Sequence, residues 1–307
     1  MKLFIAFLFS ILMVIASPGT ALAQGSAADT TKDDDFSELE MHEDWDMEFW
    51  SATQVIDFEM PTIELMIGQS QPKYSDNVFT GEFFEPIQLD ARIGYSGFER
   101  TDESPSIIEY HFSYLFLSNI SNNVIEGDVD PGQMEVSAWR FGMGSSDGYG
   151  WALGDGDAAI VLYHGTDLAW TKLDFKNEPA SENKEAIEVF GDAIRFGEQF
   201  ESGIKIRMAA PVSLTAGYQR MIVYPRHMFW YWSLSKVIEG VGEGIAESFS
   251  EAVLESSPGV APIVNFLLKG AISYGLYELR ADKMNWPVNT VPPMMFDNYK
   301  VGITLTF

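Results

Sequence analysis

From residue 61 onward the chain alternates between apolar and polar residues with a period of two. In 87–95, Leu89, Ala91, Ile93 and Tyr95 alternate with Gln88, Asp90, Arg92 and Gly94. In 107–117, Ile108, Tyr110, Phe112, Tyr114 and Phe116 alternate with Glu109, His111 and Ser113. Segment 136–144 sets Trp139, Phe141 and Met143 against Arg140 and two glycines, and 203–209 sets Ile204, Ile206 and Met208 against Lys205 and Arg207. The same pattern recurs in 212–221 and in 299–307, where Tyr299, Val301, Ile303, Leu305 and Phe307 share one parity. Successive side chains of a strand point to opposite faces, so each segment predicts a strand with one apolar and one polar face. Three stretches change period: 233–256, 261–280 (introduced by Pro258 and Pro262) and 181–197 predict helices.

Two all-β architectures share the period of two. A soluble sandwich turns its apolar faces inward, whereas a membrane barrel turns them to lipid and lines its lumen with the polar ones. Strands of roughly nine to twelve residues suit a tilted bilayer span. The Trp- and Tyr-rich cluster at 223–232 suits an interfacial aromatic girdle. Single-chain barrels have even strand numbers. One eight-strand solution starts at 63–68 and takes 158–175 as one long, bulged strand. Another omits 63–68 and splits 158–175 at its His-Gly-Thr-Asp; ten strands are also compatible. In both eight-strand solutions 209–212 is a tight periplasmic turn, and the helical insertion at about 233–280 is extracellular. The expected fold is therefore an all-β, antiparallel transmembrane β-barrel of about eight strands with helical insertions in its loops. The hairpin formed by the last two helices is expected to pack on itself at the barrel mouth or fill the lumen. A membrane-spanning reading of 261–280 is set aside, because a spanning helix beside a barrel would be unusual.

Composition narrows the setting. The 307 residues carry a net charge of −26, yet 46% are hydrophobic and 14% aromatic, and there is no Cys. So acidic a composition argues against binding a nucleic-acid backbone, which needs a basic face. Without disulfides, an exported chain relies on packing or the membrane for stability. Lys2, the apolar run after it and the small-x-small site Ala21-Leu22-Ala23 read as a cleaved secretory signal over 1–23. Residues 24–60 form an acidic, solvated tail, with Ca²⁺ collection or partner docking as a sharper alternative. The barrel then occupies 61–307.

Lys300, Gly302, Leu305 and Phe307 fit the pattern polar, x, Gly, x, x, hydrophobic, x, aromatic at the chain end. This nonapeptide resembles the C-terminal assembly signal of bacterial outer-membrane β-barrel proteins. The resemblance implies residence in the outer membrane of a Gram-negative cell, contact with its lipid, and reading of the last strand by the barrel assembly machinery.

Candidate chemistry is sparse. Asp90, Arg92, Glu109, Arg140, Lys205 and Arg207 include both signs, and by parity they predict a lumen sealed by ion pairs. Glu109, His111 and Ser113 share a face at i, i+2, i+4, the arrangement of an oriented base beside a hydroxyl nucleophile. They look faintly like the His-x-Ser pair of outer-membrane lipid-modifying hydrolases, but their parity places them in the lumen. The four His residues (42, 111, 164, 227) show no paired ligand spacing, no Gly-rich phosphate cradle of the P-loop or dinucleotide type appears, and no metal or cofactor is expected. Segment 147–158 reads as a Gly/Asp hairpin loop. The expected role is structural, interactive or small-ligand passage, with the acidic tail or the helical insertion offered to a protein partner. The alternatives are a lipid- or glycan-modifying hydrolase using His111 and Ser113, and a secreted soluble β-sandwich binding module.

Overall fold

On β-strands such as those at 60–73, 87–100 and 294–306, the polar residues Glu64, Arg92 and Lys300 are buried and the apolar Leu65, Ile93 and Val301 exposed, the reverse of a soluble domain. The computed structural model describes residues 60–75, 79, 81–122, 133–176, 187–191, 193–209 and 211–307. The strands are β1 (Met60–Lys73), a two-residue β2 (Glu82–Phe83), β3 (Ile87–Arg100), β4 (Ile107–Ser121), β5 (Gln133–Ala152), β6 (Ala159–Lys176), β7 (Arg195–Ala209), β8 (Val212–Val223) and β9 (Met294–Thr306). Antiparallel ladders join β1 to β3, β3 to β4 and so on to β9. The last strand, β9, pairs back onto β1. Eight strands therefore close a barrel with no free edge, and β2 lies parallel beside β5. Cross-strand partners lead from Ile63 through Ile93, Leu115, Met143, Leu168, Glu198, Ile222 and Met295 back to β1 at Lys73, ten residues further on. That stagger is the shear that tilts the strands of a small barrel.

Leu65, Ile93, Leu115 and Val301 point outward and are 58%, 62%, 59% and 58% exposed, while Glu64, Arg92 and Lys300 point inward and are buried. An apolar belt around a polar interior identifies a transmembrane barrel and excludes the soluble sandwich. The strand set matches the first eight-strand solution, with 159–176 a single strand paired on both sides without a shift of register. The expected bulge lies instead between Arg207 and Ala209.

Three expectations need correction or fall elsewhere. Residues 147–152 belong to β5, so the loop is only 153–158; the apolar Tyr149 and Trp151 extend the strand past its glycines. Residues 195–197, expected to end a helix, start β7, where pairing with β6 and β8 overrides helical spacing. The signal segment, the tail up to residue 59 and residues 181–186 lie outside the described residues.

The interior is layered. Towards the end with the long connections, Ile120, Val136, Leu173, Met221 and Phe296 form an apolar cluster joined by Phe79 and Phe190 from the loops. Towards the short-turn end, Tyr110, Phe112, Tyr114, Phe116 and Tyr163 form an aromatic one. Between β8 and β9 come α1 (Phe229–Ser256), a 3₁₀ turn (Pro258–Val260) and α2 (Ala261–Asp282).

These helices neither cap the mouth nor fill the lumen. They run along the outer wall. At the long-connection end, Tyr277 and Met284 pack on the outward side chains Phe200, Ile222 and Met295. At the short-turn end, Leu254 and Ala261 pack on the outward Ile107 and Tyr149, and the Trp151 indole donates to the Gly259 carbonyl at 3.0 Å. The hairpin thus descends the full length of the barrel and returns. The lumen had no room for it, being already filled by the two clusters and the charges between them.

The β1–β9 seam makes closure testable. A Cβ at Gly302 would collide with the Leu65 carbonyl oxygen and with Met66. The unboiled wild-type protein is expected to migrate faster than the boiled one on a detergent gel, and Gly302→Val to lose the fast form. Identical mobilities with and without boiling in the wild type would contradict a closed barrel.

Candidate functional site

The middle of the lumen is an ion-pair network. Arg92 on β3 reaches across to Glu201 on β7, four strands away around the ring, and also pairs with Glu64 at 3.1 Å and Asp90 at 3.3 Å. Lys205 pairs with Glu64 at 2.7 Å, and Lys300 with Asp90 and Glu201, each at 2.8 Å. Tyr163 donates to Glu201 at 2.6 Å, Tyr114 to Asp167 at 2.7 Å, and Gln88 to Gln219 at 3.1 Å. Burial of ions is tolerable when each is paired and hydrogen-bonded. Here every carboxylate named meets a donor, and the cations also sit over rings, Arg92 4.6 Å from Tyr114 and Lys205 5.0 Å from Tyr110.

Asp90, Arg92, Arg140, Lys205 and Arg207 all face the interior. Arg140 donates to the Thr171 hydroxyl at 3.3 Å, while Arg207 stacks over Phe98 nearer the short-turn end. Glu64, Glu201, Asp167 and the luminal role of Lys300 were not foreseen. Glu64 was legible, since it alternates with Ile63, Leu65 and Ile67. Glu201 was not, because β7 carries Glu198 on the opposite parity. Gly302, Leu305 and Phe307 line the seam with β1, where the Phe307 amide donates to the Pro61 carbonyl at 2.9 Å.

Glu109, His111 and Ser113 face outward, opposite to the expected lumen placement. The reason lies in volume. The inward rings Phe116, Tyr114 and Tyr110 of β4 pair with Gly142, Gly144 and Gly148 of β5. Large side chains beside absent ones fill the lumen without overlap. The outward parity of β4 is completed by Leu115 and Leu117, both exposed. The His111 ring lies over Gly97, where any Cβ would strike it, and Asp147 is its cross-strand neighbour on β5.

A second polar constellation lies between the hairpin and the wall. Asn265, Lys269, Ser273, Tyr277 and Arg280 of α2 fall three or four residues apart and are buried as one stripe. Lys269 pairs with Asp147 and, at 2.6 Å, with Glu247 of α1. Ser273 Oγ and His164 Nε2 are 2.7 Å apart, and His164 Nδ1 lies 3.0 Å from Ser202 Oγ. Tyr277 donates to Asp297 at 2.8 Å. Near the long-connection end Arg280 pairs with Glu198 at 2.9 Å and Glu239 at 2.7 Å, and donates to Ser235 at 2.9 Å. Trp232 also donates to Glu198. All the wall residues involved have outward parity. Sequence spacing predicts a helix over 261–280 without assigning its faces; that its polar residues form a single stripe is the available signal.

At the long-connection end a cavity of about 720 Å³ is lined by Lys73, Tyr74, Phe79, Glu82, Phe83 and Phe84, among others. Among the described residues no group of His, Asp and Glu is arranged to hold a metal ion.

No family model and no curated protein matches the sequence. Among solved structures the chain is similar to Neisserial surface protein A, at 10% identity over 80% of this chain and 97% of that one, TM-score 0.39. It is similar to the attachment invasion locus protein Ail of Yersinia pestis, solved with the heparin analogue sucrose octasulfate, at 8% identity over 82% and 100%, TM-score 0.31. A third is the outer membrane protein OprG of Pseudomonas aeruginosa, at 8% identity over 81% and 96%, TM-score 0.25.

Removing Arg92 would leave Glu201, Glu64 and Asp90 buried with less compensation. Arg92→Ala is expected to destabilise the barrel by about 3–5 kcal/mol, read as a lower urea midpoint for unfolding from detergent micelles. An unchanged midpoint would show that the Arg92 pairs contribute nothing to stability.

Proposed function

We propose that this chain is an exported barrel of the bacterial outer membrane that holds no open pore and acts through its surfaces, as a structural or interaction element. The observation that carries this reading is the Arg92–Glu201 pair crossing the lumen between two apolar clusters. An eight-stranded barrel has an interior just wide enough for side chains, and here they meet from opposite walls. The short-turn end is then periplasmic and the long connections extracellular. The last strand, through Lys300, Gly302, Leu305 and Phe307, is offered to the barrel assembly machinery, and the acidic segment before Met60 to a periplasmic partner. In planar lipid bilayers the purified protein is expected to give no stable conductance steps. Reproducible channels of defined size would overturn the sealed lumen in favour of passage.

A second reading, a lipid- or glycan-modifying hydrolase, is favoured by the outward position of Glu109, His111 and Ser113. His111 would take the Ser113 proton as its oxygen attacks an ester carbonyl, give it to the alcohol that departs as the ester C–O bond breaks, and then deprotonate the water that frees the acid from Ser113, with Glu109 orienting the ring. Under this reading purified protein releases fatty acid from phospholipid vesicles, and His111→Ala abolishes the release while leaving heat-modifiability intact. Absence of any release by the wild type removes the reading.

A further inference from the structure

The polarity of the hairpin is inverted relative to a helix pair that meets water. The residues of α1 that are buried are Ser235, Glu239, Ala246, Ser250 and Leu254, mostly small or polar. Its exposed ones include Val237, Ile238, Val241, Ile245 and Phe249. The outward face of α2 carries Ile263 and Leu267, again exposed, while its polar stripe is turned to the barrel. The segment Pro258–Asp282 has a mean hydropathy of 1.3 in its most apolar stretch, of which only 28% is buried. The core helix of a soluble protein hides such a stretch; this one displays it.

The wall beneath is inverted as well. On β1, β3, β4 and β9 the middle of each strand is outwardly apolar, with Leu65, Ile93, Leu115 and Val301. On β6 and β7 the corresponding mid-strand outward residues are His164, Thr166 and Ser202, and β5 adds Ser145 and Asp147. The apolar belt is therefore interrupted on one side of the barrel, and the interruption coincides with the stripe of Lys269 and Ser273. Left facing acyl chains, Asp147, His164 and Glu198 would be costly, since ionisable groups in a bilayer need partners. With the hairpin docked they have them, and the exposed ridge of Val241, Ile245, Phe249 and Leu267 continues the belt.

From this geometry we infer that the hairpin is embedded in the bilayer beside the barrel as a membrane-spanning pair of helices, its outer ridge in contact with lipid acyl chains. At 1.5 Å per residue the 28 residues of α1 measure about 42 Å and the 22 of α2 about 33 Å. Each is long enough to cross a hydrocarbon core of about 30 Å. The turn Pro258–Val260, held by Trp151, lies at the opposite membrane face from the ends that join β8 and β9.

This inference rests on the barrel being inserted in a membrane, and the absence of Cys allows both to be tested separately. Single substitutions Val241→Cys, Phe249→Cys and Leu267→Cys on the ridge, Ile93→Cys on the barrel belt and Glu255→Cys near the tip are made in the full chain. Each is reconstituted in phosphatidylcholine–phosphatidylglycerol vesicles made permeable to small solutes, then treated with a water-soluble maleimide. The expected result is labelling of Glu255→Cys alone, with the ridge and belt variants labelled only after the vesicles are dissolved and the protein unfolded. Ridge variants labelled in intact vesicles while Ile93→Cys is protected would overturn the inference and leave the barrel standing. Labelling of Ile93→Cys as well would overturn the barrel's insertion. Ridge variants that are protected but form disulfide-linked dimers under mild oxidation would show the ridge covered by a second copy, which also overturns lipid contact.

Discussion

A strand in hydrocarbon has no water to bond its backbone, so every N–H and C=O must find a partner within the protein. The β1–β9 ladder meets that requirement here, and the rest of the structure follows from it. Once the ring is closed, each strand has one face in lipid and one in an interior too narrow for bulk water. Apolar side chains take the first; the second must be filled. The chain fills it with rings, methionines and charges, placed so that glycines of β5 stand beside the bulkiest residues of β4.

Buried charge is used twice, in different ways. In the lumen, Arg92 and Glu201 join strands on opposite sides of the ring. A slip of one residue along either strand would turn one of them outward, so the pair is compatible with one register. On the outer wall, Lys269, Ser273 and Arg280 meet Asp147, His164 and Glu198 from a separate element. There the pairing fixes the position of the hairpin along the barrel, since each contact is one helical turn or more from the next. The two networks are built from opposite parities of the same strands: Glu201 faces in and Glu198 faces out on β7.

The barrel was legible because a period of two survives any uncertainty about which face is which. Strands such as β3, with Leu89, Ile93 and Tyr95 against Asp90 and Arg92, also declare their faces. β4 does not. Its two parities are both apolar in part, and the sequence offers no local reason to place Tyr110 and Phe112 inside and His111 outside. That choice is made by β5, whose inward glycines leave the space, and it becomes visible only when the strands are paired. The hairpin shows the same limit. Its helical spacing can be read, but its position depends on matching a polar stripe on α2 to polar residues on three strands far away in the chain. The luminal acids were half legible: Glu64 sits in a clean alternation, while the carboxylates of β7 occupy both parities.

The position of the hairpin in the chain bears on how the barrel is completed. Strands β1 to β8 follow one another through connections that return each to its neighbour, so their ladders are local in sequence. β9 is separated from β8 by both helices and from β1 by nearly the whole barrel. Contacts of such separation form late, because the entropy of the intervening chain must be lost first. Seating the hairpin shortens that loop by anchoring both its ends to the wall, bringing Met294 to the edge of β8. Docking of the helices thereby lowers the chain entropy that closing the ring must cost.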